Sequence, residues 1–199
     1  MQFSPAMLFL TILGGVCLAA ASGFRVFVPL LIAGAASRLG FLSLNNGLDW
    51  LASDVGLAVL GVACAVEIAG FYVPWVDHAL DWIALPGAVV AGSLLATSQV
   101  TDLNPTATWL IGILSGGTTA GLVQGATMLT RGVSLVTTGG AGNPIVATGE
   151  TLLSIIVTIV AIVVPILALL LAGVGLFLII RWHLARKRKL AMNAVRVAA

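Results

Sequence analysis

The sequence predicts an all-α polytopic membrane protein, a transmembrane helix bundle of about five spans with broken or re-entrant helices. Of the 199 residues, 60% are hydrophobic and only 8% are charged, whereas a soluble domain carries about 25% charged residues. Several apolar stretches are long enough to cross a hydrocarbon core of about 30 Å. The 23 glycines are frequent within these stretches, where they favour close contact between helices in lipid.

Residues 1–180 are expected to form a single transmembrane domain. Three spans are marked by length and apolar composition: 55–73, which contains Glu67, the short span 86–100, and the charge-free stretch 151–180. The last stretch is longer than one straight span needs, so we expect a tilt, or a kink at Pro165.

Two further apolar regions, 6–39 and 106–137, are too long for one straight span and too short for two full ones. Each contains glycines and an internal arginine. Both are predicted to be broken or strongly tilted helices, although a tight pair of half-length helices fits the same residues and would raise the count to about seven spans.

Capping side chains that precede a proline predict three helix starts, at Ser4-Pro5, Asn104-Pro105 and Asn143-Pro144. The segment 75–83 differs from the spans, because its tryptophans flank Asp77, His78 and Asp81. It is predicted to be a short helix at the membrane surface. A metal site on these three side chains lacks a fourth ligand, so a solvated face is the better interpretation and no metal is predicted.

The basic tail 181–199 holds six of the nine lysines and arginines, and no acidic residue follows Glu150. The positive-inside rule therefore predicts a cytoplasmic C-terminus. A basic run directly after a span is ordinarily a topology anchor that faces anionic lipid, so nucleic acid is not expected as a partner.

A ladder of small residues occurs twice, 102 positions apart. Its members are expected to serve helix packing: Gly15, Ala19 and Gly23 in the first copy, and Gly117, Gly121 and Gly125 in the second. The sequence thus suggests repeat halves 6–75 and 106–180, joined by the span 86–100, and one connecting span would make the repeat inverted. Coincidence in so biased a composition is the alternative.

Charged residues within apolar segments are costly and usually face a cavity or a partner. Arg25 and Glu67 are the main candidates for an ion-binding or substrate-binding site, and an ion pair between them is the structural alternative. Gln124 and Arg131 flank the second ladder, and Arg131 could instead mark a membrane interface.

A glycine-rich run, 137–144, leads into the helix start at Asn143 and could present backbone N–H groups to an anion. Glu150 in the second turn would repel an anion and stabilise the helix instead. A binding site and a plain surface turn are both consistent with these residues.

No phosphate-binding loop, catalytic triad order or zinc-ligand spacing occurs in the sequence. We therefore expect no enzyme activity, no catalytic residues and no cofactor. Cys17 and Cys64 lie inside apolar runs, where a free thiol behaves as a small hydrophobic group.

Three segments of this sequence, 19–29, 76–81 and 137–150, resemble a bacterial membrane family known as domain of unknown function 4126. The likeness covers about residues 10–170, and its Gly-Phe-Arg and Gly-Asn-Pro segments are fairly specific. It implies a small multi-pass protein of the bacterial inner membrane. It implies no activity, since none is established for the family.

The intramembrane charges and the glycine-opened helices predict passage or binding of a small ion or polar solute. Handling of a lipid or lipid-linked substrate is one alternative, because short tilted helices thin the bilayer locally. A scaffold or assembly subunit of a membrane complex is another. The expected partners are the lipid bilayer and, because about 200 residues enclose little space, further copies of the chain.

Overall fold

The computed structural model of the protein describes residues 5–44, 47–100, 103–164 and 181. Over these residues the chain is helical and contains no strand. The helices are α1 (Pro5–Phe24), α2 (Phe27–Arg38), α3 (Asp54–Gly70), α4 (Pro74–Gln99), α5 (Pro105–Ile111), α6 (Thr118–Thr138) and α7 (Asn143–Val164). A short 3-10 helix, Asp49–Ala52, precedes α3, and a π-helical turn, Gly112–Gly117, separates α5 from α6.

Residues Met1–Ile162 form one compact unit, and the rest of the chain a second. The kink expected at Pro165 and, apart from Arg181, the basic tail lie outside the described residues. Among the described residues, three helices are long and apolar enough to cross a membrane, at Leu80–Gln99, Pro105–Thr138 and Asn143–Val164. Together with the shorter helices α1 and α3, they agree with the prediction of about five spans.

Helix α4 packs against α1 and against the helix formed by α5 and α6, and α1 and α6 also contact each other near Gly23 and Ala120. A Cβ added at Gly15 in α1 would lie 3.1 Å from the backbone of Ala96, and one at Gly92 would lie 3.3 Å from Ala19. On the other side, Gly116 faces Ala96 and the carbonyl of Gly92. Helix axes can approach this closely only where side chains are absent, so small residues on three helices build the core.

The segment 74–99 is one continuous helix, which corrects the prediction of a surface helix at 75–83 and a separate span starting at Pro86. Pro86 lies inside α4. Neighbouring helices can satisfy the backbone carbonyl that a proline leaves free, so the residue need not end a membrane helix. Asp81 is consequently buried within the bundle and is not part of a solvated face.

The first long region is broken, as predicted, and its second part turns back. Val26, at the start of α2, lies beside Gly87 in the middle of α4. The 3-10 helix that follows α2 lies near the end of α4, because Trp50 and Thr97 line one cavity. Helices α1 and α2 therefore enter and leave from the same side of the bundle, the arrangement of a re-entrant pair.

The second long region stays helical from Pro105 to Thr138 and is irregular only at its π-helical turn. Its predicted start is confirmed, because the side chain of Asn104 accepts a hydrogen bond from the N–H of Ala107 at 2.8 Å. In place of the predicted break, the helix only changes its hydrogen-bond register at the π turn. The glycines of this turn allow close contact with α4.

The two long regions run in the same direction, which contradicts the inverted repeat. Helix α1 is antiparallel to α4, since Gly15 lies near Ala96 and Val26 near Gly87. Helix α6 is antiparallel to α4 as well, because Gly121 lies near Val89 while Arg131 pairs with Asp81. The prediction failed because it assumed that each broken region crosses once, whereas the first one returns.

Candidate functional site

Glu67 holds the break between α1 and α2 open. Its two carboxylate oxygens accept hydrogen bonds from the backbone N–H groups of Val26 at 2.6 Å and Phe27 at 3.0 Å. These groups begin α2 and have no partner within their own helix. A carboxylate at a helix N-terminus is also stabilised by the helix dipole. The anion position at this helix start is therefore filled by the chain itself.

Arg25, at the break, joins α1 to α7. Its guanidinium donates to the carbonyl of Ala147 at 2.7 Å and to the hydroxyl of Thr151 at 2.9 Å, and it lies 3.6 Å from the carboxylate of Glu150. Glu67, which the sequence offers as its ion-pair partner, makes its hydrogen bonds at the start of α2 instead.

Arg131 in α6 extends the same cluster. Its guanidinium lies 2.6 Å from Asp81 in α4 and 3.3 Å from Glu150 in α7. Arg25 and Arg131 are 0% and 2% exposed, and the carboxylates of Glu67, Asp81 and Glu150 are buried as well. The charges thus meet one another inside helix contacts, which is the arrangement that keeps buried ions tolerable.

Phe71, the residue after α3, lies beneath both arginines. The guanidinium carbon of Arg25 is 4.0 Å from the ring centroid, and that of Arg131 is 4.4 Å from it. A cation over the face of an aromatic ring is attracted by the ring quadrupole, most strongly where water is excluded. We name the four charged residues Arg25, Arg131, Asp81 and Glu150 the ionic cluster.

The ionic cluster lies toward one end of the bundle, near the beginning of α4. Asp81 is about 10 Å from the start of α4 at 1.5 Å per residue. Its neighbour Trp82 is 82% exposed, as is typical of tryptophan at a membrane interface. Two half-exposed tryptophans, Trp50 and Trp109, line a cavity of about 420 Å³ near the opposite end of α4. The interface interpretation of Arg131 fits this depth.

An apolar groove of about 640 Å³ opens between α3 and α4, directly beside the ionic cluster. The two helices touch near their connecting turn, at Gly70 and Leu80, and the groove extends away from that contact. Its outer walls carry valines of α3 and Ile83 of α4 that are more than half exposed. Its inner wall includes Glu67 and Phe71.

The glycine-rich run forms the turn between α6 and α7. Gly139 and Gly140 have positive φ angles of 64° and 88°, which end α6 in the left-handed conformation that glycine favours. The carbonyl of Gly142 accepts from Ile145 and Val146, so α7 starts one residue earlier than predicted and Asn143 is its first helical residue, not its cap. The carboxylate of Glu150 points at the two arginines, Arg25 and Arg131, which belong to other helices.

Gln124 lies in the bundle interior, on the face of α6 that also carries Arg131. It is 1% exposed, and its Nε2 atom has no hydrogen-bond partner among the described residues. The ladder residues differ in their surroundings. Gly15, Ala19, Gly23, Gly117 and Gly121 lie against neighbouring helices, whereas no described atom lies within 4 Å of a Cβ added at Gly125.

Sequence reasoning missed Phe71, Asp81 as the partner of Arg131, and the contacts of α7. Ser154, for example, donates to the carbonyl of Ala21 at 3.0 Å next to the break. Asp81 could have been found by continuing its helix through Pro86, which would have placed its carboxylate within a span. Phe71 carries no signal in the sequence, because an apolar residue at a helix end is ordinary.

Helices of this length and composition show that the protein is an integral membrane protein. Among the described side chains, no group of three histidine, cysteine, aspartate or glutamate residues could hold a metal ion. No curated protein and no solved structure matches the chain. The model of one family, described as a domain of unknown function (DUF4126), matches residues 12–185. The chain therefore belongs to the family of domain of unknown function 4126.

Proposed function

We propose that the protein binds the hydrophobic chain of a lipid or lipid-linked substrate in the groove between α3 and α4. The observation that carries this proposal is the groove itself, a concave apolar cavity of about 640 Å³ on the outside of the bundle. Its volume falls within the range of about 300–1,000 Å³ typical of ligand pockets.

The shape and position of the groove favour a chain over a compact solute. Along α3 it extends from Phe71 to Ala58, which is about 20 Å at 1.5 Å per residue. This length is similar to the depth of one leaflet, roughly half of a 30 Å hydrocarbon core. The groove begins near the depth of the interfacial Trp82, so an amphiphile could keep its head group at that interface while its chain follows the valines of α3.

The carboxylate of Glu67 does not make this groove polar. Both of its oxygens are already engaged by the N–H groups of Val26 and Phe27. A polar group whose hydrogen bonds are satisfied costs little beside an apolar ligand. An occupant therefore meets almost only hydrocarbon and needs no charge to balance.

Passage of a small ion or polar solute is the rival proposal, and it needs water to reach the charged side chains. The burial of Arg25 and Arg131 weighs against it. In its favour, Gln124 and the hydroxyls of Ser22, Ser154 and Thr158 are buried within the bundle. Flux in proteoliposomes that survives both Arg25→Ala and Glu67→Gln would remove this rival.

Photo-crosslinking tests the lipid proposal. The purified protein in nanodiscs receives a phospholipid with a diazirine on one acyl chain, and the crosslinked residues are mapped by mass spectrometry. We expect crosslinks concentrated at Val59, Val62, Val66 and Ile83. Val62→Trp should fill the groove and lower crosslinking there about tenfold, the ratio that corresponds to 1.4 kcal/mol.

The matched control is Val136→Trp, since Val136 is 86% exposed on α6 and Val62 is 67% exposed in the groove. This control should leave crosslinking in the groove unchanged. Crosslinks spread evenly over all lipid-facing residues, or an equal effect of both tryptophans, would contradict a specific chain site. Purification with a stoichiometric partner protein would instead support the scaffold alternative.

A further inference from the structure

Phe71 separates the apolar groove from the ionic cluster. The residue is 3% exposed and lines the groove. Both guanidinium groups lie over its ring, at 4.0 Å and 4.4 Å from the centroid. A chain that packs against Phe71 therefore touches a ring whose position determines two cation–π contacts.

The two arginines also bind residues of α7, a helix that does not line the groove. Arg25 donates to the carbonyl of Ala147 and the hydroxyl of Thr151, while both arginines face Glu150. Contacts at Ala147, Glu150 and Thr151, which span about one turn of α7, thus connect the ring to the first part of this helix. A guanidinium is planar and fixed by several bonds at once, so its displacement shifts all of them together.

The residue after Phe71 makes a second connection to the same helix. The hydroxyl of Tyr72 is hydrogen bonded to the hydroxyl of Thr148 at 2.7 Å. The turn between α3 and α4 is thus fastened to the beginning of α7 both through the ionic cluster and directly. A movement of this turn, which closes one end of the groove, would therefore disturb both connections to α7.

We infer that occupancy of the groove by a hydrophobic chain is coupled to the beginning of α7 through Phe71 and the two arginines stacked on it. The inference rests on the proposed lipid function and adds a regulation of the same site. When the groove is filled, the ring is held against the guanidinium groups and the first turns of α7 are ordered. When it is empty, the ring can move toward the groove and these turns loosen.

Hydrogen–deuterium exchange tests the coupling. The full-length protein is compared in detergent before and after loading with the diazirine phospholipid, whose binding is measured separately by native mass spectrometry. We expect exchange of the amides of Ile145 and Val146 to slow about fivefold or more on loading, the lower end of coupling between sites. The segment 105–117, near the opposite membrane face, serves as the internal reference and should not respond.

Arg25→Lys is the diagnostic variant, because it keeps the charge and removes the planar group that stacks on Phe71 and reaches Ala147. Arg25 does not line the groove, so the chain should still bind while the response of α7 is lost. Arg131→Lys is the second variant, for use if the first does not fold. An unchanged response in these variants, or a loaded parent protein without a response, would refute the coupling alone. A parent protein that binds no chain would refute the proposed function and the coupling together.

Discussion

Glu67 is one side chain that stabilises the break between α1 and α2. Breaking a helix in a membrane leaves backbone N–H groups without water to bind. The carboxylate of Glu67 takes two of these groups, at Val26 and Phe27, and the hydroxyl of Ser154 binds the carbonyl of Ala21 on the other side of the break. Glu67, a candidate for ion binding in the sequence, thus has a structural role at the start of α2, which its position in an apolar segment did not indicate.

The buried and the exposed arginine pairs should differ sharply in their contribution to stability. Arg25→Gln leaves Glu150 buried without one of its cations, and removing one partner of a buried pair costs about 3–5 kcal/mol. Arg38 pairs with Asp54 at the protein surface, with side chains 50% and 85% exposed. Such pairs contribute about 0–1 kcal/mol, so Arg38→Gln should have little effect.

The free energy of unfolding in bicelles, measured for both glutamine variants, checks this prediction. Comparable losses for Arg25→Gln and Arg38→Gln would mean that the ionic cluster does not contribute to stability as its burial implies. A further replacement, Asp54→Asn, should match Arg38→Gln, because it removes the other half of the exposed pair.

Among the helices, the glycine ladders show what a sequence pattern can and cannot predict. The spacing of Gly15, Ala19 and Gly23 correctly indicates a packed face of α1, because small residues four positions apart share one side of a helix. Which residues they contact depends on tertiary structure. The close contacts between α4 and the π turn at Gly92, Gly112 and Gly116 therefore could not be predicted from the sequence.

The equivalent ladder glycines Gly23 and Gly125 should respond in opposite directions to alanine. A Cβ at Gly23 would lie 2.6 Å from the carbonyl oxygen of Ala120 and even closer to Val123. Overpacking of this kind costs about 1–3 kcal/mol. Gly125 has no described atom within 4 Å of an added Cβ, so Gly125→Ala should gain about 0.5–1 kcal/mol from lower backbone entropy. Thermal unfolding of the two variants in one detergent compares them directly, and a loss of stability in both would mean that Gly125 is also a packing residue.

The helix directions also explain why the repeat was misjudged. The bounds of the two long regions, Pro5 to Arg38 and Pro105 to Thr138, differ by 100 positions at each end. The repeated ladder of small residues suggested that both regions have the same structure. The first region breaks where Glu67 can bind the freed N–H groups, whereas the second absorbs its irregularity in a π turn against α4. Which of these two structures forms depends on a residue of another helix, Glu67 in α3 or the small residues of α4. The sequence of the two regions themselves does not show this.

Among the described residues, the buried charged side chains gather toward the beginning of α4, whereas Arg38 and Asp54 form an exposed pair elsewhere. The tryptophans place the two interfaces roughly 25 Å apart along α4 at 1.5 Å per residue, a little less than the common hydrocarbon thickness of about 30 Å. Composition predicted the membrane environment because so few charges cannot cover a soluble surface. The depth of those charges in the membrane depends on how far each helix extends beyond them. It could be derived only from the bounds and contacts of the helices in the structure.

The return of α2 makes a prediction about sidedness that a single crossing does not. The loop at 39–44 should lie on the same side of the membrane as the beginning of α1, and the turn at 139–142 on the other side. Phe9, Ser43 and Ala141 are exposed, and both native cysteines are free. Single cysteines at these three positions, in a chain with Cys17→Ala and Cys64→Ala, can therefore be labelled with a membrane-impermeant maleimide. We expect Phe9→Cys and Ser43→Cys to behave alike and Ala141→Cys to behave oppositely. If the first region crossed only once, Phe9→Cys would label from the side of Ala141→Cys and Ser43→Cys from the other side, and the re-entrant arrangement of α1 and α2 would be wrong.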